Sequence, residues 1–343
     1  MDFQTAKQYD DEYIIHSYGR FPVLLTKGKG ATVQDDTGKT YIDFTSGIGV
    51  NALGFCDDNW VQAVSTQLQS LQHTSNLYYT EPCIQAAKLL CEKSGMKKVF
   101  FGNSGAEANE GVIKAARKYS FLKYGASRNK IIALQNSFHG RTMAALSATG
   151  QDAYHNFFFP FVDGFVFAKA NDFADILSKM TDDVCAVILE TVQGEGGVVP
   201  LNKEYVQAVA KACKEKDILL IVDEVQTGMG RTGSLFSYQQ FGIQPDLVSC
   251  AKGLGGGLPI GAVLFSEKTE TVFVPGDHGS TFGGNPVVCA GAVHILNTMD
   301  EAFLQDVQKK GAYLKEKIEK MPHVQNVAGL GMMLGIQLDV EAK

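Results

Sequence analysis

Two apolar runs in this chain end on an ionisable side chain and are followed by glycines. ILLIVD (218–223) stops at Asp223 and passes into EVQTGMGRTG. LVSCA (247–251) passes to Lys252 and then GLGGG. A lysine at the end of a buried strand is costly unless it is paired or covalently used. An acid delivered to the same edge of the same sheet supplies a counter-charge. The combination fits a lysine that forms a Schiff base with pyridoxal phosphate, beside an acid that keeps the ring nitrogen protonated. A free lysine, with a pKa of ~10.4, is almost wholly charged at neutral pH. Burial and nearby cations lower that value, and the freed amine can then move a proton. Taken singly, Asp223 is a strand-end capping acid and Lys252 a snorkelling surface lysine. The pairing and the glycines after Lys252 favour chemistry. The phosphate-loop pattern G-x-x-x-x-G-K-[ST] is absent.

Other loops after apolar runs hold matching groups. KVFF is followed by GNSGAEANE (102–110), where Ser104 and Glu107 form a capping-box pattern. The small residues Gly105 and Ala106 would let a cofactor phosphate approach the free N–H groups of that helix start; the alternative is an ordinary capped helix. KIIAL is followed by QNSFHGRT (135–142). Phe138 suits stacking on a planar ring, and Arg141 suits a bidentate pair with a substrate carboxylate. The alternative is a core Phe and a surface Arg, and His139 suits a structural hydrogen bond. AVILE is followed by TVQGEGG, which sets Glu195 between glycines, either in the pocket or as a solvated loop acid. Gln226 stands three residues after Asp223, where it can reach the ring hydroxyl. In GSTFGGNP (279–286), Ser280 and Thr281 offer hydroxyls to phosphate or substrate, or simply make a turn.

The elements that must position these groups alternate. Short apolar runs at 98–101, 130–134, 164–168, 186–190, 218–223, 247–251 and 262–265 are separated in several places by helical spacing, notably 105–124 and 203–216. Near-continuous apolar strands with intervening helices predict an α/β fold, a mostly parallel seven-stranded sheet covered on both faces. Ligands then sit outside the carboxyl ends of the strands. Ahead of the sheet, VLLTKGKGATVQDDTGKTYIDF predicts a small β-meander with turns at Gly28–Gly30 and Asp36–Gly38. After Pro286 come a long helical pattern, an amphipathic helix, and GLGMMLGIQLDV as one strand. The expected division is 1–52 with the meander, 53–292 as a large cofactor-binding domain, and 293–343 as a smaller α+β domain, incomplete at its C-terminus.

The chain has 343 residues and a net charge of −6, with 45% hydrophobic and 20% charged residues. That composition is ordinary for a globular protein and offers no nucleic-acid surface. No apolar run approaches the ~20 residues of a membrane span, and the N-terminus lacks a signal pattern. Seven cysteines without C-x-x-C predict reduced thiols in the cytoplasm. Seven histidines without zinc-like spacing predict no metal site.

NSGAEANE, SFHGRT, QGEGG, DEVQTGMGRTG, AKGLGGGLPIGA and STFGGNP, in that order, resemble the class III aminotransferases of fold type I. The similarity runs from SYGRFPV (17–23) to GLGMMLGIQL (329–338). It implies that Lys252 is the covalent lysine and Asp223 the ring-nitrogen partner, with Gln226 by the ring hydroxyl and Phe138 on the ring. Ser104, Gly105 and Ala106 take the phosphate, and Arg141 takes the substrate α-carboxylate with Ser280 nearby. Thr281 reaches the phosphate of a neighbouring subunit, which makes the active unit a homodimer. Two departures stand out. Phe55-Cys56-Asp57-Asp58 replaces a His-rich stretch of the family. The family also continues for several tens of residues, and that part carries an arginine that pairs with Glu195, so Glu195 is expected to be unpartnered here. The implied reaction exchanges the terminal amino group of N-acetylornithine with 2-oxoglutarate. Other class III ω-aminotransferase substrates (ornithine, succinyl-diaminopimelate, 4-aminobutyrate), an aminomutase, a cofactor-binding chain without turnover and a nucleotide-binding domain are the alternatives.

Overall fold

A computed structural model describes residues 1–341. After a helix at Phe3–Tyr13, the chain forms the meander β1 (Leu25–Lys29), β2 (Thr32–Asp35) and β3 (Thr40–Ile42). The main sheet begins with β4 (Lys98–Gly102), β5 (Lys130–Leu134), β6 (Phe165–Ala168) and β7 (Val184–Leu189). A short ribbon of β8 (Val192–Gln193) and β9 (Val199–Pro200) intervenes. The sheet is completed by β10 (Leu219–Asp223), β11 (Leu247–Cys250) and β12 (Gly261–Phe265). The order across it is β4-β12-β11-β10-β7-β5-β6. Only β12 runs antiparallel to its neighbours. The seven strands are those expected from the apolar runs, and the sheet is mostly parallel.

The apolar runs are continuous because both faces are covered. Along β5, Ile132 and Leu134 enter one core while Ile131 and Ala133 enter the other. Along β10, Leu220 and Val222 alternate with Leu219 and Ile221 in the same way. Alternation of side chains along a strand makes every residue a core residue once helices lie on both sides. Leu90, Val206, Val209 and Ile295 cover the first face, from the helices Glu81–Ser94, Lys203–Glu215 and Pro286–Thr298. Val112, Ile113 and Ala116 of the helix Gly105–Tyr124 cover the second. Each of the Leu, Val and Ile side chains contributes about 1.5–3 kcal/mol on burial.

Two elements differ from expectation. The C-terminal apolar segment forms a hairpin of β13 (Val324–Leu330) and β14 (Met333–Leu338), where one strand was expected. Its first arm, VQNVAGL, carries the polar pair Gln325 and Asn326 and is mostly half-exposed, so the apolar signal was confined to the second. The helix Phe3–Tyr13 was not foreseen; it is largely polar and has no buried residue. The departing residues 55–58 start a helix: Asp57 accepts from the Trp60 N–H at 2.9 Å and caps Asp58–Ser70.

Parallel strands deliver their C-terminal ends to one edge. Because β12 runs the other way, it starts there too, beside Gly102. A Cβ at Gly261 would lie 2.1 Å from the Ser104 carbonyl oxygen, which is backbone and cannot yield cheaply. Gly261→Ala is therefore expected to cost about 1–3 kcal/mol and to push the helix start at Ser104 outward. A lowered thermal unfolding midpoint checks this; an unchanged one would mean the contact relaxes freely.

Candidate active site

A cavity of ≈ 630 Å³ opens at that edge. Asp223 ends β10 and is 3% exposed. One carboxylate oxygen accepts from Asn109 Nδ2 and from His139 Nδ1, each at 2.7 Å. The other accepts from the Val225 N–H at 2.9 Å. Asn109 is itself fixed: its amide donates to the His139 carbonyl at 2.7 Å and its oxygen accepts from Ser249 Oγ at 2.6 Å. Burial works against a charged His139, but the hydrogen bond to Asp223 and the charges of Asp223 and Glu190 outweigh it and raise its pKa. His139 Nε2 is buried without a partner among the described residues.

Lys252 lines the cavity just past β11. Its φ of 45° lies in the left-handed region, and it opens a short 3₁₀ turn, Lys252–Leu254. A side chain there is strained, and such strain persists only where surrounding structure enforces it. Burial lowers its pKa, against the opposing charges of Asp223, Glu195 and Glu190.

On a third side lies the start of the helix Gly105–Tyr124. Ser104 caps it, its Oγ accepting from the Glu107 N–H at 3.2 Å. Glu107 reaches back to the Asn103 N–H at 2.6 Å, one residue earlier than a capping box requires. The N–H groups of Gly105 and Ala106 have no acceptor within the helix and border the cavity. A Cβ at Gly105 would meet Val225 Cγ1 at 2.6 Å, so this cup and the Asp223 loop touch.

Phe138, Arg141, Glu195 and Gln226 also line the cavity. Glu195 is not unpartnered as expected: Gln226 Nε2 donates to it over a long 3.4 Å. Gln226 is drawn there because it packs over Gly194, where a Cβ would fall 1.5 Å from its Oε1. Ser280 and Thr281 are not in the lining. Ser280 Oγ is occupied within its own turn by the Gly283 N–H at 2.9 Å and by Asn103 Nδ2 at 3.1 Å. Thr281 is exposed beside it.

Sequence reasoning missed Asn109, Glu190 and Tyr18, all in the lining. Glu190 carried a usable signal, since AVILE ends on an acid just as ILLIVD does. Asn109 sits one turn inside a helix, and nothing local distinguishes it from a surface asparagine.

A family model described as Aminotransferase class-III matches residues 13–343. The chain belongs to the class III aminotransferases, pyridoxal-phosphate enzymes of fold type I, and is a transaminase. It is 54% identical over 340 residues to an acetylornithine aminotransferase of Haemophilus ducreyi, covering 99% of this chain and 86% of the relative. It is 49% identical to one from Caldanaerobacter subterraneus, covering 97% and 86%. An ornithine aminotransferase structure from Toxoplasma gondii superposes with a TM-score of 0.94 at 32% identity, covering 98% and 82%. The N-acetylornithine aminotransferase of Stenotrophomonas maltophilia gives 0.82 at 35%, covering 97% and 83%.

The residues fit pyridoxal phosphate. Glycine at 105 leaves an open backbone cup for an anion, and a carboxylate faces the same cavity from a different wall. The same cavity is lined by a buried amine of lowered pKa. A phosphate, a basic ring nitrogen and an aldehyde are the groups those three features complement.

Glu190 generates a pH prediction. It accepts from the Phe138 N–H at 3.0 Å and the Gly194 N–H at 3.4 Å. Burial, aided by the Asp223 charge and opposed by His139, pushes its carboxyl up to about 7 from an ordinary 4.5. Between those values the folded chain keeps a proton that the unfolded chain has released. Its stabilising contribution is full below pH 4.5 and is lost as pH rises through about 7. Glu190→Gln in the cofactor-free protein is expected to flatten the fall in unfolding midpoint over that window. An identical slope would show that Glu190 does not titrate there.

Proposed function

We propose that this chain exchanges the terminal amino group of N-acetylornithine with 2-oxoglutarate in a ping-pong cycle on the route to arginine. In the biosynthetic direction glutamate is the donor. The observation that carries the reading is Lys252 and Asp223 in the lining of one cavity, delivered by the adjacent parallel strands β10 and β11, in a chain 54% identical to an acetylornithine aminotransferase.

Pyridoxal phosphate supplies, when bound, an aldehyde that takes up amino groups and a ring that accepts electrons. Lys252 Nζ is the amine that holds the cofactor, and its lowered pKa favours the neutral, nucleophilic form. The same Nζ, when free, would move the proton at the reacting carbon. Asp223 would hold the ring nitrogen's proton, with Asn109 and His139 fixing the carboxylate. Ser104, Gly105 and Ala106 would hold the phosphate, Phe138 would stack on the ring, and Gln226 would serve the ring hydroxyl. Arg141 takes the α-carboxylate, and Glu195, paired with Gln226, borders the substrate path.

The purified protein is expected to be yellow, to lose that colour with N-acetylornithine alone, and to regain it with 2-oxoglutarate. Lys252→Ala is expected to lose turnover by roughly 10²–10⁴-fold or more. A colourless protein that takes up no cofactor, or full activity in the variant, would overturn the reading.

The active unit is a homodimer in this reading, with Thr281 serving the neighbouring site. Supporting this, Leu77 and Tyr79 are 88% and 95% exposed, and Phe282 is 62% exposed. Asn76 ties the first two to the Thr281 turn through the Ser280 and Gly283 carbonyls at 3.2 and 2.9 Å. Mixing Lys252→Ala subunits with Thr281→Val subunits is then expected to raise activity above that of either variant alone, since each hybrid contains one intact site. No gain on mixing would place Thr281 outside the neighbour's site. A cytoplasmic location is supported by seven free cysteines. Among the described residues no single helix is long and apolar enough to cross a membrane.

A further inference from the structure

Arg141 enters no ion pair or side-chain hydrogen bond among the described residues, although it lines a cavity that holds three carboxylates. Aromatic faces hold it instead. Its guanidinium carbon lies 4.2 Å from the ring centroid of Tyr154 and 5.6 Å from that of Phe138. The two rings meet edge to face, 5.7 Å apart and inclined at 72°. Tyr154 itself is outside the cavity lining, so it acts through Arg141.

The backbone is built to bring this ring to that arginine. The Asn136 N–H donates to the Gly150 carbonyl at 2.7 Å, and the Gly150 N–H returns to Ser137 at 3.1 Å. Gln151 Nε2 adds a bond to the Ser137 carbonyl at 3.2 Å, and the Tyr154 N–H closes onto Gln151 at 3.1 Å. The approach requires glycine: a Cβ at 150 would lie 2.1 Å from the Leu134 carbonyl oxygen. From the other side Glu110 fixes the end of the Arg141 loop, accepting from Thr142 Oγ1 at 2.6 Å and the Ala144 N–H at 3.0 Å.

We infer that Tyr154 is the positioning residue for carboxylate recognition, its ring face holding the Arg141 guanidinium in the orientation that receives the substrate α-carboxylate. The five N–H donors of a guanidinium lie in its plane. Held over the ring at 4.2 Å and bonded to no other side chain, the guanidinium keeps its donors available for a bidentate pair, where a salt bridge would consume them. It also removes rotamer freedom before substrate arrives, which lowers the entropy lost on binding. The effect belongs in KM and spares kcat, because the carboxylate is remote from the reacting terminal amine. The hydroxyl takes no part, so phenylalanine should serve equally.

This inference rests on the reading of Arg141 as the carboxylate partner, and one set of variants separates the two. With the full-length holoenzyme, N-acetylornithine and 2-oxoglutarate, Tyr154→Leu is expected to raise KM for N-acetylornithine by about 2- to 30-fold, the range of a cation–π contact. Its kcat stays within about twofold, and Tyr154→Phe stays near the unmodified enzyme in both. In an Arg141→Ala background, Tyr154→Leu is expected to add nothing. An unchanged KM in Tyr154→Leu, while Arg141→Ala raises it, overturns the inference and leaves Arg141 standing. So does a Tyr154→Leu effect that persists in full without Arg141. An unchanged KM in Arg141→Ala removes the carboxylate reading and this inference with it. Should Tyr154→Leu fail to fold, phenylalanine at 154 carrying successive ring fluorines keeps the shape and weakens the ring's negative face. A stepwise rise in KM is then expected, and a flat series overturns the proposal.

Discussion

The carboxylate of Asp223 is the fixed point of this site. It arrives at the end of a fully buried strand, where an unsatisfied charge would be expensive. Three donors meet it, from Asn109, His139 and the Val225 backbone. Each comes from a different segment, so satisfying one acid brings a helix, a loop and a turn into register. The helix is the one whose N-terminus forms the anion cup, and the loop is the one carrying Phe138 and Arg141.

Glycine governs how closely those segments approach. Gly105 lies against Val225 and Gly261 against the Ser104 carbonyl, each closer than a Cβ would permit, and Gly140, at a φ of 142°, leaves only 3.0 Å between a Cβ and that of Ala106. The cup, the Asp223 turn and the Arg141 loop are thus packed on one another. A side chain at any of these positions would separate groups that must act on one ligand.

The site is not arranged for stability. Lys252 occupies a left-handed backbone conformation, and its amine is buried at a cost that lowers its pKa. Glu190 and Glu224 are buried with carboxyls pushed up to about 7. Glu224 offsets its burial with Thr227 Oγ1 and the Ser237 and Tyr238 N–H groups. The deep two-sided core beneath the cavity supplies what these groups lack, and buried strained groups persist only on such a base.

By itself the sequence determined the strands, their burial on both faces, and the edge at which chemistry collects. Apolar runs ended by Asp223 and Lys252 are local signals, because a charged residue interrupts a buried strand only where the strand must end. Cup, ring-stacking and carboxylate candidates could be named for the same reason, each following such a run. The tertiary structure decided which groups meet. Asn109 is a helix-interior residue whose partner, Asp223, lies 114 positions away. Tyr154 follows a loop and reaches Arg141 only through the Gly150 approach. The C-terminal hairpin and the placement of Ser280 outside the cavity were likewise fixed by pairing partners. Periodicity reports which face of an element is buried. It carries no information on what that face is buried against, because contacts between distant segments leave no mark on spacing within either one.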